Sequence, residues 1–434
     1  MGQVIREVKL LHININGIYS SRAELEHLLS EQEPHIVCIN ETHLNKPNKL
    51  TINNYTVYRK DRTGHKGGVA ILHRKDIPVT EIDIPIEHRD TEALIIKVHI
   101  RNWPLYICTL YNPPDKPIPE SFLKHLNTYN KVILTSDINA HHPLLGDDST
   151  ATNKAGRDLV GHLKHSKLHQ VHTPGPTRIP QTNNQQFTTP DKILATIQVS
   201  NRIRDIQILH PINSDHLPLL VTLATPIWTP ISTNSTSEAF NYNKADWNIF
   251  REELDKLIAT THISNTNDID LADSALLTAI TRARETAIPK KKTHTIYNKK
   301  HTQLPEHIIK LIQVKRRAFR LYKRTNTDDD RRLFRSLQED VKNSITNFRN
   351  HKYIKYTEQI NITHTDNTQR FWKYIKKIQN KSNILNLPLK VNGNIIFDEK
   401  SKAEIFKQHF QEVFQPITNP KTNMNNFNTV NNYI

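Results

Sequence analysis

The quartet Asn213-Ser214-Asp215-His216 lies between two largely apolar runs of the sequence. The first run is Ile206-Gln207-Ile208-Leu209, and the second extends from Leu217 to Leu223. This pattern predicts a loop that joins two strands of a buried sheet, with an aspartate and a histidine at the strand mouth. Such a pair is either a solvated turn or part of a reaction centre. Its meaning therefore depends on which other polar residues follow the ends of strands.

The rest of the first 225 residues repeats this pattern of apolar runs that end in polar residues. Helical spacing is found near 21–33, where Ser21 and Glu24 form a capping-box pattern, and again at 120–129 and 155–168. Strands alternate irregularly with these few helices, so we predict a sheet-dominated α/β sandwich rather than a doubly wound fold. The predicted strands cover 8–13, 35–41, 67–72, 93–100, 105–110 and 131–135.

Beyond this region the composition changes. Residues 226–240 are rich in Pro, Ser, Thr and Asn and are predicted to form a linker, and 241–422 show helical periodicity. The Asn-rich segment 423–434 is predicted to be a disordered tail. Two apolar series are expected to pack as a helical hairpin: Ile308, Leu311, Ile312, Phe319 and Tyr322 with Leu333, Leu337, Val341, Ile345 and Phe348.

The chain has 434 residues, a net charge of +16 and a mean hydropathy of −0.61. Most of the positive charge lies beyond residue 225, which favours contact between that region and nucleic acid. Solvated helix faces are the alternative explanation for its basic residues, among them Lys315, Arg316, Arg317 and Arg320. The two cysteines are too few for a disulfide framework, and no apolar run is long enough to cross a membrane. We therefore expect a soluble intracellular protein with no membrane partner.

Five polar clusters follow the predicted strands, and they combine carboxylates, amides and a histidine. Oxygen-rich sets of this kind suit Mg²⁺, and a histidine can stabilise charge on a phosphoryl oxygen. The inventory therefore favours phosphodiester hydrolysis, although each cluster alone also fits a surface charge, an Asx turn or a wall residue. The clusters are Asn14-Ile15-Asn16, Glu41, Tyr111, Asp137 with Asn139, and Asp215-His216.

Six motifs in this order resemble the endonuclease/exonuclease/phosphatase superfamily, and more narrowly the apurinic-endonuclease-like domain of jockey-type non-LTR retrotransposons. The resemblance covers roughly residues 5–225. The motifs are Asn14-Ile15-Asn16-Gly17, Cys38-Ile39-Asn40-Glu41-Thr42-His43-Leu44, Gly67-Gly68-Val69-Ala70-Ile71, Leu110-Tyr111-Asn112-Pro113, Ser136-Asp137-Ile138-Asn139-Ala140 and Ser214-Asp215-His216.

This resemblance implies a four-layer α/β sandwich, with two packed mixed sheets flanked by helices, followed by a basic, mostly helical extension. It also implies an enzyme that nicks DNA with Mg²⁺ or Mn²⁺. Glu41 would be the main metal ligand, with Asn14 beside it and Asp215 on the metal side. Asp137 would orient or activate the attacking water, and Asn139 would help to hold that water in place.

The remaining implied roles concern the phosphate and the histidine. His216 would stabilise the developing phosphoryl charge, oriented by Asp191, while Tyr111, Thr177 and Ser214 would contact phosphate or DNA. The chain has Asn40 where the family often has Gln, and Ser136-Asp137-Ile138-Asn139 where it often has Gly-Asp-Phe-Asn. Neither difference replaces a ligand, so the resemblance implies an intact site.

Three functions remain open at this point. The first is a Mg²⁺-dependent endonuclease that nicks target DNA, with nuclear localisation at least in part and with element RNA as a second partner of the basic region. The second is a phosphatase-type member of the superfamily, and the third is a catalytically inactive nucleic-acid-binding remnant. The run 403–414 resembles the segment that precedes the reverse transcriptase in these polyproteins, but no Tyr-x-Asp-Asp motif occurs. We therefore expect a chain truncated before the polymerase.

Overall fold

The chain divides into two compact units, Met1–Ser232 together with Lys300–Ile434, and Thr233–Lys299. Most of the predicted linker and the whole predicted tail lie outside the described residues, so the domain boundaries stay predictions. In the computed structural model, the described residues are 5–62, 64, 66–100, 102–114, 116–146, 152–180, 182, 186–228, 240–260, 269–290, 304–366, 389–391, 394–396 and 399–413.

The first unit is built on two six-stranded sheets, and a small two-stranded sheet follows later in the chain. The strands in chain order are β1 (Ile5–Asn14), β2 (Ile36–Asn40), β3 (Tyr55–Lys60), β4 (Val69–Arg74), β5 (Val79–Ile82), β6 (Glu92–Val98), β7 (Leu105–Tyr111), β8 (Val132–Asp137), β9 (Leu168–Val171), β10 (Asp191–Thr196), β11 (Ile203–Ile208), β12 (Leu219–Trp228), β13 (Leu389–Val391) and β14 (Asn394–Ile396).

Each large sheet mixes parallel and antiparallel pairs. The first has the order β11-β12-β1-β2-β4-β3, and the second has the order β5-β6-β7-β8-β10-β9. One parallel pair lies near the centre of each, β1 with β2 and β7 with β8. Fully buried side chains from both sheets, such as Leu10 and Ile71 from the first and Ile107 and Ile193 from the second, form one apolar cluster between them. The sheets therefore pack face to face.

The helices in chain order are α1 (Ile18–Gln32), α2 (Glu120–Leu126), α3 (Lys154–Leu163), α4 (Ile197–Ser200), α5 (Trp247–Thr260), α6 (Ile269–Ala287), α7 (Glu306–Thr325), α8 (Asp328–Asp366) and α9 (Glu399–Val413). Helix α1 covers the outer face of the first sheet, and α2 and α3 cover the outer face of the second. The predicted four-layer α/β sandwich with a helical C-terminal part is therefore confirmed.

Helix α1 does not begin where its capping-box pattern indicates. It starts at Ile18, three residues earlier, so that Ser21 and Glu24 lie inside the helix and are buried. Both side chains have tertiary partners instead: the Ser21 hydroxyl donates to the carbonyl of Asn213 at 2.7 Å, and Glu24 pairs with Lys315. The capping-box prediction was wrong because these partners are distant in sequence.

Helices α7 and α8 form the predicted hairpin within the first unit. Ile308 and Ile312 of α7 pack in one apolar cluster with Val341 and Ile345 of α8. One position differs from the prediction, because Leu333 is 49% exposed and its neighbour Phe334 is 1% exposed. Phe334, Val341 and Ile345 are spaced by seven and four residues, which places them on one helical face.

The basic segment of α7 is partly used to attach this helix to α1. Lys315 has no exposed surface and pairs with Glu24, so the expectation that it contacts nucleic acid is corrected. Arg316 donates two hydrogen bonds to Glu31, at 2.9 and 2.7 Å. Burial favours the uncharged form of Lys315 and lowers its pKa, although the Glu24 carboxylate opposes that shift. Arg317 remains exposed.

The second unit contains α5 and α6. Phe240, Ala287 and Ile288 form its small buried cluster, and the guanidinium of Arg284 lies 4.4 Å from the Phe240 ring centroid. Within the described part of the chain, no helix combines the length and the apolar character needed to cross a bilayer.

The Lys315–Glu24 pair gives a test of how firmly α7 is attached. We expect Lys315→Met to lower the free energy of unfolding by about 3–5 kcal/mol, because it leaves the Glu24 carboxylate buried without a cation. Lys342→Met is the matched control, since its partner Glu339 is exposed and such pairs contribute about 0–1 kcal/mol. Denaturant unfolding followed by circular dichroism measures both. Equal effects of the two substitutions would contradict the assignment.

Candidate active site

The strand topology brings the ends of both sheets to one edge of the sandwich. Because β1 and β2 are parallel, Asn14 lies opposite Asn40, and Glu41 follows directly. In the second sheet, Tyr111 ends β7 beside Asp137, which ends β8. Strand β10 runs antiparallel to β8, so its first residue, Asp191, also lies opposite Asp137. Residues that are far apart in sequence thus meet at this edge.

The loop that carries His216 enters this edge from the first sheet. Strand β12 runs antiparallel to β1 and begins at Leu219, opposite His12. His216 therefore lies just before β12, near the end of β1. The Ser214 hydroxyl donates to the carbonyl of Asn14 at 2.7 Å and accepts from the His216 N–H at 3.1 Å, which ties the loop to β1.

The Asn14 amide joins two carboxylates. Its Nδ2 donates to Oε1 of Glu41 and to Oδ2 of Asp137, each at 2.8 Å. Since both carboxylates only accept hydrogen bonds when ionised, the nitrogen of the amide must face them. Its oxygen accepts from the backbone N–H of Asn16 at 3.2 Å. Asn14 therefore fixes the spacing between a carboxylate of the first sheet and one of the second.

A second chain of contacts orients the histidine. Nδ1 of His216 donates to Oδ2 of Asp191 at 2.9 Å, and its Nε2 lies 3.8 Å from Oδ2 of Asp137. Asp191 also accepts from Thr177 Oγ1 at 2.6 Å and from His12 Nε2 at 3.1 Å. Three donors and nearly complete burial hold Asp191 in place, so the imidazole has one orientation, with Nε2 toward Asp137.

The charges of this network shift one another. Burial raises the pKa of Asp137 to about 6, although His216 opposes the shift. Burial disfavours the His216 imidazolium, but the carboxylates of Asp191, Asp137 and Asp215 outweigh it and raise the pKa to about 9. Burial also disfavours ionised Asp191, yet His216 and His12 hold its pKa below the ordinary value. At neutral pH, Asp137 is mostly ionised and His216 is protonated.

Tyr111 and Glu41 form the partly open side of the site. Burial, together with the charges of Glu41 and Asp137, raises the pKa of Tyr111 well above its ordinary value and keeps the phenol as a hydrogen-bond donor. The Glu41 side chain is 17% exposed, and its Oε2 lies 3.1 Å from Nε2 of His43. Its exposure leaves Glu41 the more accessible of the two carboxylates that Asn14 joins.

Three site residues have left-handed backbone conformations, with φ values of 45° at Asn16, 50° at Glu41 and 53° at Asn139. Non-glycine residues rarely adopt this region, and such strain is frequent at functional sites. Each of these residues lies within two positions of the end of a strand. The conformation turns the chain sharply there and aims the neighbouring side chains across the edge of the sandwich.

The two hydroxyls that the resemblance assigns to phosphate or DNA, and the Asn139 amide that it assigns to the water, are engaged by protein groups. Thr177 is buried and donates to Asp191, and Ser214 is buried and joins Asn14 to His216. The Asn139 amide donates to the carbonyl of Asn112 at 2.9 Å. These three side chains thus hold the loops of the site in this structure.

Asp215 lies at the rim, paired with an arginine. Its Oδ2 lies 3.1 Å from Nε of Arg178, and its Oδ1 accepts from Asn16 Nδ2 at 3.5 Å. The Arg178 side chain is 39% exposed, so its guanidinium is presented to solvent at the rim beside His216, with whose backbone it also pairs. No motif in the amino-acid sequence identified Arg178.

Two further residues of the network were missed. His12 lies two positions before Asn14 on the same face of β1, so the period of two along a strand was a usable signal. Asn40 connects the sheets: its Nδ2 donates to Thr109 Oγ1 at 3.0 Å, and its Oδ1 accepts from the Asp137 N–H at 3.0 Å. A strand-end amide directly before Glu41 was the only sequence signal for it.

The donor chemistry of the site fits a hard divalent cation. Glu41 and Asp137 supply carboxylate oxygen atoms, which Mg²⁺ prefers, and the Asn14 amide lies between them. Another group with ligand atoms within 4.8 Å of one another consists of Asp137, Asp191 and His216. A protonated imidazole offers no lone pair, and three donors already occupy Asp191, so this second group is suited to proton and charge stabilisation. The side of Glu41 and Asn14 is the better cation site.

The His216 network predicts a pH-dependent stability. The pKa of about 9 lies above the ordinary value of 6.5, so the stabilisation by His216 is complete below pH 6.5 and is lost as the pH rises through about 9. We expect the difference in Tm between the wild type and His216→Gln to shrink across this range in buffer containing EDTA. Thermal unfolding at a series of pH values measures it. A difference that does not change with pH would disprove the imidazolium–carboxylate assignment.

The chain is similar in sequence to a known protein family and to two retrotransposon proteins. Residues 105–220 match the family model described as Endonuclease-reverse transcriptase. The chain is 23% identical over 416 residues to the RNA-directed DNA polymerase from mobile element jockey of Drosophila melanogaster, which covers 93% of this chain and 43% of that protein. It is 24% identical over 430 residues to the probable RNA-directed DNA polymerase from transposon X-element of the same species, covering 94% and 44%.

The chain thus spans less than half the length of these relatives. Among solved structures, the endonuclease domain of TRAS1, a telomere-specific non-LTR retrotransposon, is 19% identical, covers 50% of this chain and 98% of its own, and has a TM-score of 0.43. The match of residues 105–220 to this family model and the similarity to the two polymerase relatives agree with the resemblance to the endonuclease/exonuclease/phosphatase-like domain of jockey-type retrotransposon polyproteins.

Proposed function

We propose that residues 1–225 form a metal-dependent endonuclease that nicks target DNA by phosphodiester hydrolysis, as the endonuclease part of a non-LTR retrotransposon. The observation that carries the proposal is the continuous network from Glu41 through Asn14 and Asp137 to His216 and Asp191. It places an accessible carboxylate, a buried carboxylate and an oriented imidazolium at one edge of the sandwich.

In this proposal the residues around Asp137 prepare the attacking water. The pKa of about 6 makes the ionised Asp137 a better proton acceptor than an ordinary carboxylate near neutral pH. Asn14 holds this carboxylate in place by its hydrogen bond, and Asn139 fixes the loop that follows it through its backbone N–H, 3.2 Å from Asp137 Oδ1. Asp137 therefore takes the proton of the water as the water oxygen bonds to phosphorus; the bond from phosphorus to the leaving sugar oxygen breaks, and that oxygen takes a proton from solvent.

The imidazolium and the phenol act on the phosphate. His216 donates from Nε2 to a phosphoryl oxygen whose negative charge grows in the transition state, while Asp191 keeps the ring oriented. Tyr111 is neutral and donates to the phosphate from the side of Glu41. These contacts strengthen as the charge develops, which is what lowers a barrier.

Glu41 would hold Mg²⁺, or Mn²⁺ in its place, with Asn14 beside the ion, and Asp215 would support that side through its contact with Asn16. When bound, the ion supplies charge neutralisation at the phosphate. Asp215 also presents Arg178, whose exposed guanidinium is suited to a neighbouring phosphate of the DNA backbone.

We further propose that the exposed part of the basic extension contacts nucleic acid, either target DNA or element RNA. Arg317 is exposed, and Arg320 is exposed with its guanidinium 3.1 Å from Nε2 of His210. Activity on chromosomal DNA requires that the protein enters the nucleus. The proposed domain limits are 226–240 for the linker, 241–422 for the helical region and 423–434 for the tail.

Relaxation of supercoiled plasmid tests the activity. We expect nicking in Mg²⁺ that EDTA abolishes, and losses of about 10²–10⁴-fold for Glu41→Ala, Asp137→Asn and His216→Gln, because each removes a group that acts on the metal, the water or the phosphate. Asp205→Asn, an exposed carboxylate on β11, is the control and keeps full activity.

Undiminished nicking by Glu41→Ala protein would refute the proposal. Salt-dependent DNA binding without nicking at any Mg²⁺ or Mn²⁺ concentration would favour the inactive remnant. Hydrolysis of a small phosphate monoester without DNA cleavage would favour a phosphatase.

A further inference from the structure

The hairpin of α7 and α8 packs directly behind the residues of the active site. One buried apolar cluster joins both helices to the sandwich, and each of its six members is at most 6% exposed. The sandwich contributes Ile179 and Leu217, which flank Arg178 and His216 in sequence. The hairpin contributes Ala318, Phe319 and Tyr322 from α7 and Phe334 from α8.

The two sandwich residues of this cluster belong to paired backbone segments. The N–H of Leu217 donates to the carbonyl of Thr177 at 2.7 Å, and the N–H of Ile179 donates to the carbonyl of Asp215 at 2.8 Å. These two hydrogen bonds join 177–179 to 215–217, the segments that carry Thr177, Arg178, Asp215 and His216. A displacement of Leu217 or Ile179 therefore displaces the histidine.

Polar contacts fix the hairpin in the same place. Arg335 of α8 donates to the carbonyl of Pro180 at 3.0 Å, at the end of the first segment. Helix α7 is attached to α1 by the pairs Lys315–Glu24 and Arg316–Glu31, and α1 in turn holds the carbonyl of Asn213 through Ser21. The loop 213–217 is thus supported at one end by α1 and at the other by the hairpin.

We propose that the α7–α8 hairpin is a positioning element of the nuclease site, and that Phe334 and Phe319 act through Leu217 to hold His216 in its productive orientation. The ring centroids of Phe319 and Phe334 lie 5.2 Å apart, so the two rings pack against each other in the cluster that contains Leu217. The catalytic part of the proposal rests on the proposed function. The mechanical part, that the hairpin orders 177–179 and 215–217, does not.

Activity is sensitive to small displacements of a catalytic group, since a misplacement of about 1 Å can cost on the order of 10²-fold in rate. His216 is oriented by one hydrogen bond to Asp191 and by the backbone of its own loop. Leu217, the residue after His216, is 1% exposed and packs in the apolar cluster with the hairpin, so that cluster supports the end of the loop that carries the histidine. The nuclease of this chain is therefore a composite of the sandwich and a hairpin that begins at Glu306, 87 residues after the start of β12 at Leu219.

The test uses the full chain with Phe334→Ala, and Val341→Ala as the matched control. Both residues are buried on α8, but Val341 packs with Ile308 and Ile312 of α7 rather than with Leu217. Hydrogen exchange read by mass spectrometry follows the N–H groups of Ile179 and Leu217. We expect Phe334→Ala to accelerate exchange there by at least about tenfold, and Val341→Ala to leave it unchanged.

Nicking kinetics give the second measurement. Phe334→Ala is expected to lower kcat on plasmid by about tenfold or more with little change in KM, because DNA contacts remain while His216 is less well held. Phe334→Leu, which keeps part of the apolar volume, should cause smaller losses of both kcat and exchange protection. It also serves as the test variant if Phe334→Ala fails to fold, with intermediate losses expected against Val341→Ala.

Two results would overturn the proposal. One is unchanged exchange at Ile179 and Leu217 in folded Phe334→Ala or Phe334→Leu protein. The other is an equal effect of Val341→Ala at those amides, which would show general loosening of the fold. If the wild type does not nick DNA at all, the proposed function fails, yet the exchange measurement still decides whether the hairpin orders these segments.

Discussion

The two hydrogen bonds that the Asn14 amide donates, one to Glu41 and one to Asp137, are the interactions on which the site depends. One carboxylate belongs to the first sheet and the other to the second, so this amide sets their spacing across the interface between the sheets. Asn40, on the neighbouring strand β2, also joins the two sheets: its amide donates to Thr109 and accepts from the backbone N–H of Asp137. The chemistry of the site is therefore coupled to the face-to-face packing of the sandwich, because a shift of either sheet changes both links.

Burial of charge is the second constraint, and it explains the number of donors around Asp191. A buried carboxylate is costly unless its oxygens are hydrogen-bonded or paired. Asp191 accepts from His12, Thr177 and His216, and in this way stabilises the imidazolium whose pKa rises to about 9. The same burial raises the pKa of Asp137 to about 6. Asp137 and Asp191 lie opposite each other on neighbouring strands, yet their pKa values shift in opposite directions. Asp137 can therefore accept a proton, while Asp191 stays ionised and orients His216.

The helical region adds a role that its composition does not suggest. Its positive charge favours nucleic acid as a partner, but Lys315 and Arg316 are committed to Glu24 and Glu31 on α1. Part of the charge thus attaches the hairpin to the sandwich, while Arg317 and Arg320 remain exposed. The basic residues of α7 therefore have two roles: some hold the helix against α1, and others form a surface suited to phosphate. The side of the helix on which a residue lies decides which role it has.

Sequence patterns predicted most strands and helices of the sandwich, though not β3, β5 or β9, and the strand-end position of Asn14, Glu41, Asp137 and His216, because alternation and helical spacing are local properties. Local patterns could not determine that Ser21 and Glu24 lie inside α1, nor that Phe334 rather than Leu333 is buried, since distant partners fix both. The tertiary structure was needed to show that Arg178 joins the site and that Leu217 packs against the hairpin, whereas the strand positions of His12 and Asn40 were a signal that the predictions left unused. These contacts join segments that are far apart in the sequence. Their energy depends on the distance between the side chains in space, and residue spacing along the chain does not reveal that distance.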